Sequence, residues 1–406
     1  MKAKNTFDTV QKIAFWLNNS TMPNMDYAAI MHGNPGLPGA EYEFLILSYY
    51  LQCRDNGIEP YLFVNFDGTF PNKHVYRANS LDECAALCSE LGIGKIVVDV
   101  KYATQHSLKA FAANMQIFIW AHNQPSTKML TYFWHDRRIA RIVCVSKSEM
   151  LDYKTHPVFL KTTAIYNLFP LDNIEKYRPA ENDKNNHNVV WMGCLIEDKG
   201  FHVLAQAWKQ ILEKIPDAQL FVIGNGRLYN ANATLGHYGL ASPEYEARFI
   251  PFVTDANGEI LQSVHFLGVL GSEKYDIMRW CKVGVPNPTA VSETFCISAI
   301  EMQLMGCKIV APSLSIFKEN VMNHSYLFEN ESDLAATLVR SLNDKTENYD
   351  ALYRFVKSKV DVGTNTLLWE QLFTHLPKIS PLVIAWYEML WFLYRVYCWI
   401  LRHISK

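Results

Sequence analysis

The 406-residue chain is short of the features that mark several functional classes. It has no excess of basic charge: the formal net charge is -2 and the pI is near 6.7. That leaves no broad cationic face for nucleic acid, so a nucleic-acid partner is not expected. Its nine cysteines include no Cys-x-x-Cys pair and no Cys/His group with zinc-ligand spacing. An odd, scattered set, with no charged-then-apolar leader at the N-terminus, points to a reducing cytosol. There is no Asp-x-Asp sequence and no set of oxygen ligands suited to a divalent ion, so neither a metal nor another cofactor is expected. No short-period repeat is visible. The one hydrophobic stretch of membrane interest, Ile384 to Leu401, is interrupted by Glu388 and Arg395, which argues against a spanning helix.

What is present is enough apolar material for two cores, with 49% hydrophobic and 19% charged residues. Lys12 to Leu17 reads as a buried strand, followed by the loop Gly33-Asn-Pro-Gly-Leu-Pro-Gly39 and an apolar helix through Leu51. Pro60 to Asn65, Lys95 to Val100, Gln116 to Ala121 and Ile139 to Val145 read as further strands, with a helix over Leu81 to Leu91. A polar run, Arg178 to His187, separates this series from a second one. There, strands are expected at Asn188–Met192, Leu220–Gly224, Val264–Leu267 and Lys308–Pro312, with a helix over Phe201–Ile215. Strands alternating with helices imply parallel, doubly wound sheets and an α/β fold of two Rossmann-like domains. The expected division is 1–170, a linker at 171–187, 188–376, and a hydrophobic tail at 377–406, with a ligand cleft between the domains.

The segment Glu293-Thr-Phe-Cys-Ile-Ser-Ala-Ile-Glu301 carries the strongest chemical signal. If Ser292 or Thr294 caps a helix there, Ile297, Ile300 and Leu304 form a buried face and Glu301 borders it. A carboxylate in that position is costly without donors. On a helix, eight positions span about 12 Å, the reach of a nucleotide sugar, with helix-start amides facing its diphosphate. The bland reading is a helix start and a structural hydrogen bond.

Three ordered motifs, Gly193-Cys-Leu-Ile-Glu-Asp-Lys-Gly200, Phe221-Val-Ile-Gly-Asn-Gly226 and Glu293 to Glu301, resemble glycosyltransferase family 4, a retaining family with the GT-B fold. Gly39-Ala-Glu41, Trp120-Ala-His-Asn123, Val145-Ser-Lys-Ser148 and Ile165-Tyr-Asn167 extend the likeness through the first half. The resemblance implies transfer of a sugar from a UDP- or GDP-sugar to a hydroxyl of a glycan, with the acceptor on the N-terminal domain and the donor on the second. It implies catalytic roles for Glu293, His122 and Lys199. The donor would be held by Gly39, Gly193, Lys199, Asn225, Gly226, Glu293, Thr294, Phe295, Cys296 and Glu301. Taken alone, Lys199 reads as a solvated surface lysine and His122 as a structural strand-end histidine; the resemblance reverses both readings. Where the family has an arginine that helps Lys199 clamp the diphosphate, this chain has Cys194. Either Arg227 or Lys282 substitutes, or the diphosphate rests on Lys199 and backbone amides. The alternatives are a catalytically silent nucleotide-sugar-binding or scaffolding subunit and an epimerase of the same fold.

The tail is unusually aromatic, and Glu388, Arg395 and Arg402 recur every seven residues. A helix there has one polar stripe and an otherwise apolar surface. It fits a membrane interface through 380–402, a return onto the N-terminal domain, or a dimer contact. Membrane contact would suit a lipid-linked glycan acceptor in surface-polysaccharide synthesis, with the enzyme peripheral on the cytoplasmic face.

Overall fold

The computed structural model describes residues 10–404 apart from 21–25, 56, 172–173, 181–182, 185, 290, 292 and 347–348. The first half folds into a seven-stranded sheet of β1 (Gln11–Leu17), β2 (Ile58–Val64), β3 (Val75–Arg77), β4 (Lys95–Asp99), β5 (Gln116–Ala121), β6 (Ile139–Cys144) and β7 (Thr162–Ala164). The order is β3-β2-β1-β4-β5-β6-β7, every pairing parallel. The second half holds a five-stranded parallel sheet ordered β10-β9-β8-β11-β12. Its strands are β8 (Asn188–Met192), β9 (Gln219–Ile223), β10 (Val264–Gly268), β11 (Val283–Gly284) and β12 (Lys308–Ile309). The expected strand over Lys308–Pro312 is two short ones; Ala311–Pro312 leaves β12's sheet and pairs with Leu327–Phe328 instead.

Near-continuous apolar strands such as Ile117-Phe-Ile-Trp-Ala121 are buried on both faces, as a parallel sheet covered by helices requires. β3 escaped the sequence reading because it is a three-residue edge strand with an exposed or half-buried surface and no apolar run. In both sheets the order reverses at one point, between β1 and β4 and between β8 and β11, and the strand ends beside these points face the cleft.

The polar run at 178–187 is not a free tether. Lys184 is buried and its Nζ donates to the carbonyls of Met278 and Cys281 at 3.1 and 2.5 Å. The last part of the segment assigned to the second domain lies elsewhere: the helix Val362–Thr374 returns to the first sheet. Trp369 is fully buried with its ring 4.9 Å from that of Trp120, and Phe373 packs edge-on against Phe118 at 5.1 Å. Burial of large aromatics, each contributing about 1.5–3 kcal/mol, draws the chain back across.

The C-terminal helix, Pro381–Ile404, also sits on the first domain. Trp134 Nε1 donates to Glu388 Oε1 at 3.2 Å, the Trp391 ring lies 4.3 Å from that of His156, and Tyr387 stacks on Phe159. Glu388 thus bonds the first domain from an exposed position. The other faces remain open, with Trp386, Phe392, Tyr397 and Trp399 each more than half exposed. Among the described residues no helix is long and apolar enough to cross a membrane.

Candidate functional site

Two adjoining cavities fill the cleft. The smaller, about 120 Å³, lies mainly against the second sheet and includes Gly193, Lys199, Lys274, Glu293 and Glu301 in its wall. The larger, about 570 Å³, opens onto the first sheet and includes Glu41, Asp99, Lys101 and His122. Gly39, Lys199, Tyr229, Glu293 and Cys296 border both.

Lys199 and Glu293 meet where the cavities join, Nζ to Oε1 at 2.6 Å. Asn287 Nδ2 donates to the same carboxylate oxygen at 2.9 Å and to the Asp198 carbonyl at 3.0 Å, fixing both partners. Gly200, at φ 70, lets the Lys199 turn lie on this support: a Cβ there would stand 2.7 Å from Thr289 Cγ2. Burial by itself disfavours the Lys199 ammonium, but the Glu293 carboxylate outweighs it and holds the pKa above that of an ordinary lysine. The lysine is thus a permanent cation beside an acid, not a surface side chain.

The segment after Glu293 departs from the expected helix. The helix is Ile297–Leu304, so Glu293 stands in the loop before it, and the 12 Å helical span between the glutamates does not apply. Ser292 lies outside the described residues. Thr294 is not a cap; its Oγ1 donates to the His122 carbonyl at 2.9 Å, across the cleft. Cys296 precedes the helix at φ 62, the only non-glycine with positive φ among the described residues. Such a conformation costs about 1–2 kcal/mol and persists because its neighbours fix it. Asn320 Nδ2 holds the Phe295 carbonyl at 2.7 Å, and Cys296 Sγ contacts Ser298 Oγ at 3.5 Å. The Cys296 thiol is pushed up to about 12 by burial. No acceptor among the described residues meets the amides of Phe295, Cys296 and Ile297, all part of the larger cavity's wall. Unpaired amides at a helix start form a natural anion site.

Glu301 is buried and already partnered. Its Oε1 pairs with the Lys274 ammonium at 2.7 Å and accepts from Tyr275 Oη at 2.9 Å. Lys274 also donates to the Asn34 carbonyl at 3.1 Å in the glycine-rich loop of the opposite wall. Lys274, in the wall of the smaller cavity beside Lys199, was missed by the sequence reading, and neither Arg227 nor Lys282 borders either cavity. Arg227 Nε is spent on the Ala233 carbonyl at 3.0 Å. The Cys194 thiol is fully buried and points at the amides of Tyr229 and Leu228; burial pushes its pKa up to about 11, against the pull of those amides.

The remaining expected donor residues divide. Gly39 opens the helix Gly39–Gln52 at the junction of the cavities, and a Cβ there would only touch Ile297 at 3.8 Å. Gly193 follows β8 with its Cα against the Trp191 ring. Asn225 and Gly226 do not border the cleft: Asn225 Oδ1 closes a turn onto the Arg227 amide at 2.9 Å. Their neighbour Gly224 does, and at φ 119 a Cβ on it would stand 1.9 Å from the Gly193 carbonyl, so only glycine fits.

On the opposite wall His122 follows β5 and Asp99 ends β4. His122 Nδ1 lies 2.9 Å from Asp99 Oδ2, both side chains are buried, and Nε2 has no partner among the described residues. An adjacent-strand carboxylate was the available sign of this pair. Burial raises the Glu41 pKa above the usual carboxylate range, aided by Asp99 and opposed by Lys101 and His122. The two walls are also clasped by Glu319. It accepts from the amides of Lys147 and Ser148 at 2.9 and 2.7 Å and from Tyr166 Oη at 2.7 Å.

Residues 186–344 match the family described as Glycosyl transferases group 1. A glycosyltransferase of Methanocaldococcus jannaschii, itself uncharacterized, is 23% identical over 136 residues, 29% of this chain and 34% of that protein. The chain thus spans about a third of the curated relative it matches. Among solved structures, Anabaena HepE in complex with UDP and glucose superposes with a TM-score of 0.63 at 18% identity, covering 90% of this chain and 99% of that one. Sucrose-phosphate synthase of Thermosynechococcus elongatus gives 0.61 at 14%, covering 90% and 98%. The catalytic domain of Arabidopsis thaliana starch synthase IV, bound to ADP and acarbose, gives 0.58 at 12%, covering 90% and 99%. The chain therefore has the GT-B fold and carries a glycosyltransferase group 1 domain in its second half.

Proposed function

We propose that the protein is a retaining glycosyltransferase of family 4 type, moving a sugar from a UDP- or GDP-sugar to a hydroxyl of a glycan acceptor. The observation that carries this reading is the Lys199–Glu293 pair at the junction of the two cavities, beside the unpaired amides of Phe295, Cys296 and Ile297. Donors and one cation converge there on a place where a diphosphate can leave, and preorganised charges of this kind are usually the largest catalytic contribution.

In this reading Lys199 and the loop amides offset charge on the departing diphosphate. Glu293, kept in place by Asn287, accepts from hydroxyls of the donor sugar. His122 Nε2 meets a sugar hydroxyl from the other wall. The acceptor hydroxyl enters from the larger cavity on the face the diphosphate leaves, and the diphosphate takes its proton, so the anomeric configuration is kept. Closure of the walls orients the reactants and excludes water.

The exposed aromatic faces of the C-terminal helix support peripheral membrane contact, with a lipid-linked acceptor of a surface-polysaccharide pathway as its corollary.

Calorimetric titration with UDP and GDP separately tests the donor site; binding of one is expected, and binding of neither overturns the reading. NMR of the product should show the donor's anomeric configuration. The rival silent-subunit reading rests on Cys194. Because the thiol is buried under the 228–229 amides, Cys194→Arg should bring no gain in turnover; a large gain from a nearly inactive wild type would favour the rival.

A further inference from the structure

We propose that Lys274 is a specificity-determining residue of the nucleotide site, where with Glu301 it reads the ribose hydroxyls. The proposal rests on the donor reading above and assigns a role that the sequence motifs do not contain.

Lys274 and Glu301 are almost wholly buried, with side chains 4% and 1% exposed, yet both border the small cavity. An ammonium has three N–H donors. One donates to the Asn34 carbonyl at 3.1 Å, and the ammonium forms an ion pair with Glu301 Oε1 at 2.7 Å. No protein acceptor among the described residues takes the third. Glu301 is complementary, since Oε1 pairs with Lys274 and accepts from Tyr275 while Oε2 has no protein partner among the described residues. One unused donor and one unused acceptor thus stand side by side in a desolvated place.

The chemistry of the pair selects its ligand. A hydroxyl can donate to Oε2 and another can accept from Nζ, and a vicinal diol does both. The ribose of a nucleoside diphosphate supplies such a diol. Asn34, whose Oδ1 accepts from the amides of Gly36 and Leu37 at 2.9 and 2.7 Å, holds the loop whose carbonyl anchors the ammonium. The ribose is then read partly through the opposite wall.

The test is calorimetry with UDP, 2′-deoxy-UDP and 3′-deoxy-UDP, or the guanosine analogues if GDP is the nucleotide bound, on wild type and Lys274→Met. Each deoxygenation leaves a buried polar group unpaired, so the wild type should lose about tenfold in affinity for each. Lys274→Met should become indifferent, within about threefold, to at least one of the two. Parallel loss of affinity for all three nucleotides, with both penalties kept, would mean that Lys274 only supports the fold and would overturn the proposal. Equal binding of the three by wild type would also overturn it. Failure of wild type to bind any nucleotide is a different outcome, which removes the donor reading and this proposal with it. Should Lys274→Met not fold, Lys274→Gln, which keeps a donor for Glu301 without the third N–H in the same place, carries the same comparison.

Discussion

On the cleft wall carried by the second sheet, both glutamates reach the cavity with a lysine attached, Glu293 to Lys199 at 2.6 Å and Glu301 to Lys274 at 2.7 Å. On the wall carried by the first sheet, His122 is anchored by Asp99 through Nδ1, and its buried Nε2, in the wall of the larger cavity, has no partner among the described residues. The same strand-end geometry therefore yields two kinds of surface. Lysine–carboxylate pairs with spare donors and acceptors suit a ligand that is both anionic and rich in hydroxyls. A single unpartnered imidazole nitrogen in a roomy pocket suits a neutral hydroxyl and tolerates variation in the rest of the molecule.

The sharpest way to break this contrast is Lys199→Met. It removes the cation at the departing diphosphate and should lower kcat by about 10²–10³, as removal of one preorganised donor does. Steady-state kinetics with the donor saturating would check it, and a change confined to KM would return Lys199 to a binding role only. Next in size is Trp369→Ala, which asks whether the first wall depends on the returning end of the chain. Its ring is fully buried against Trp120, and truncation of such a side chain costs about 3–5 kcal/mol, measured by denaturant unfolding.

His122→Ala should cost less, about tenfold in kcat/KM, the worth of one hydrogen bond to a hydroxyl. Donor binding measured by calorimetry should change little, since the ring belongs to the other wall.

The smallest effect concerns the clasp between the walls. Burial disfavours the Glu319 carboxylate, but Ser148, Tyr166 and the amides of Lys147 and Ser148 outweigh it and hold its pKa below the ordinary value. A carboxylate depressed in the folded state contributes stability above its unfolded pKa, about 4.3, and that contribution is lost as pH falls through the folded value. Melting temperatures of wild type and Glu319→Gln should therefore differ at pH 6, and the gap should narrow as pH falls below about 4.3 toward the folded value. A constant gap across that range would show that the carboxylate charge is irrelevant to the clasp.

Much of the frame was legible because buried parallel strands write themselves as apolar runs: β1, β5 and β8 lie within a residue of their expected bounds. The glutamate motif was legible in its residues but not in its geometry. Helical periodicity continues back through 293, and nothing in it shows that Cys296 turns to φ 62 and excludes Glu293 from the helix. Asn225 and Gly226 were expected at the donor site from the family resemblance, whereas the close approach of two backbones falls on Gly224, one residue before Asn225. The end of the second domain was misjudged because the helix Val362–Thr374 carries an apolar face that fits either core.

By itself the sequence determined the alternation of strand and helix, the two-sheet architecture and the segments that meet at the cleft, since all of these follow from local apolar periodicity and turn residues. Only the tertiary structure decided which charge meets which. Lys274 reaches a carbonyl 240 residues away at Asn34, and His122 finds its carboxylate 23 residues back on the neighbouring strand. Ion pairs and hydrogen bonds are selected by distance in space after the cores have formed, and no spacing along the chain encodes that distance.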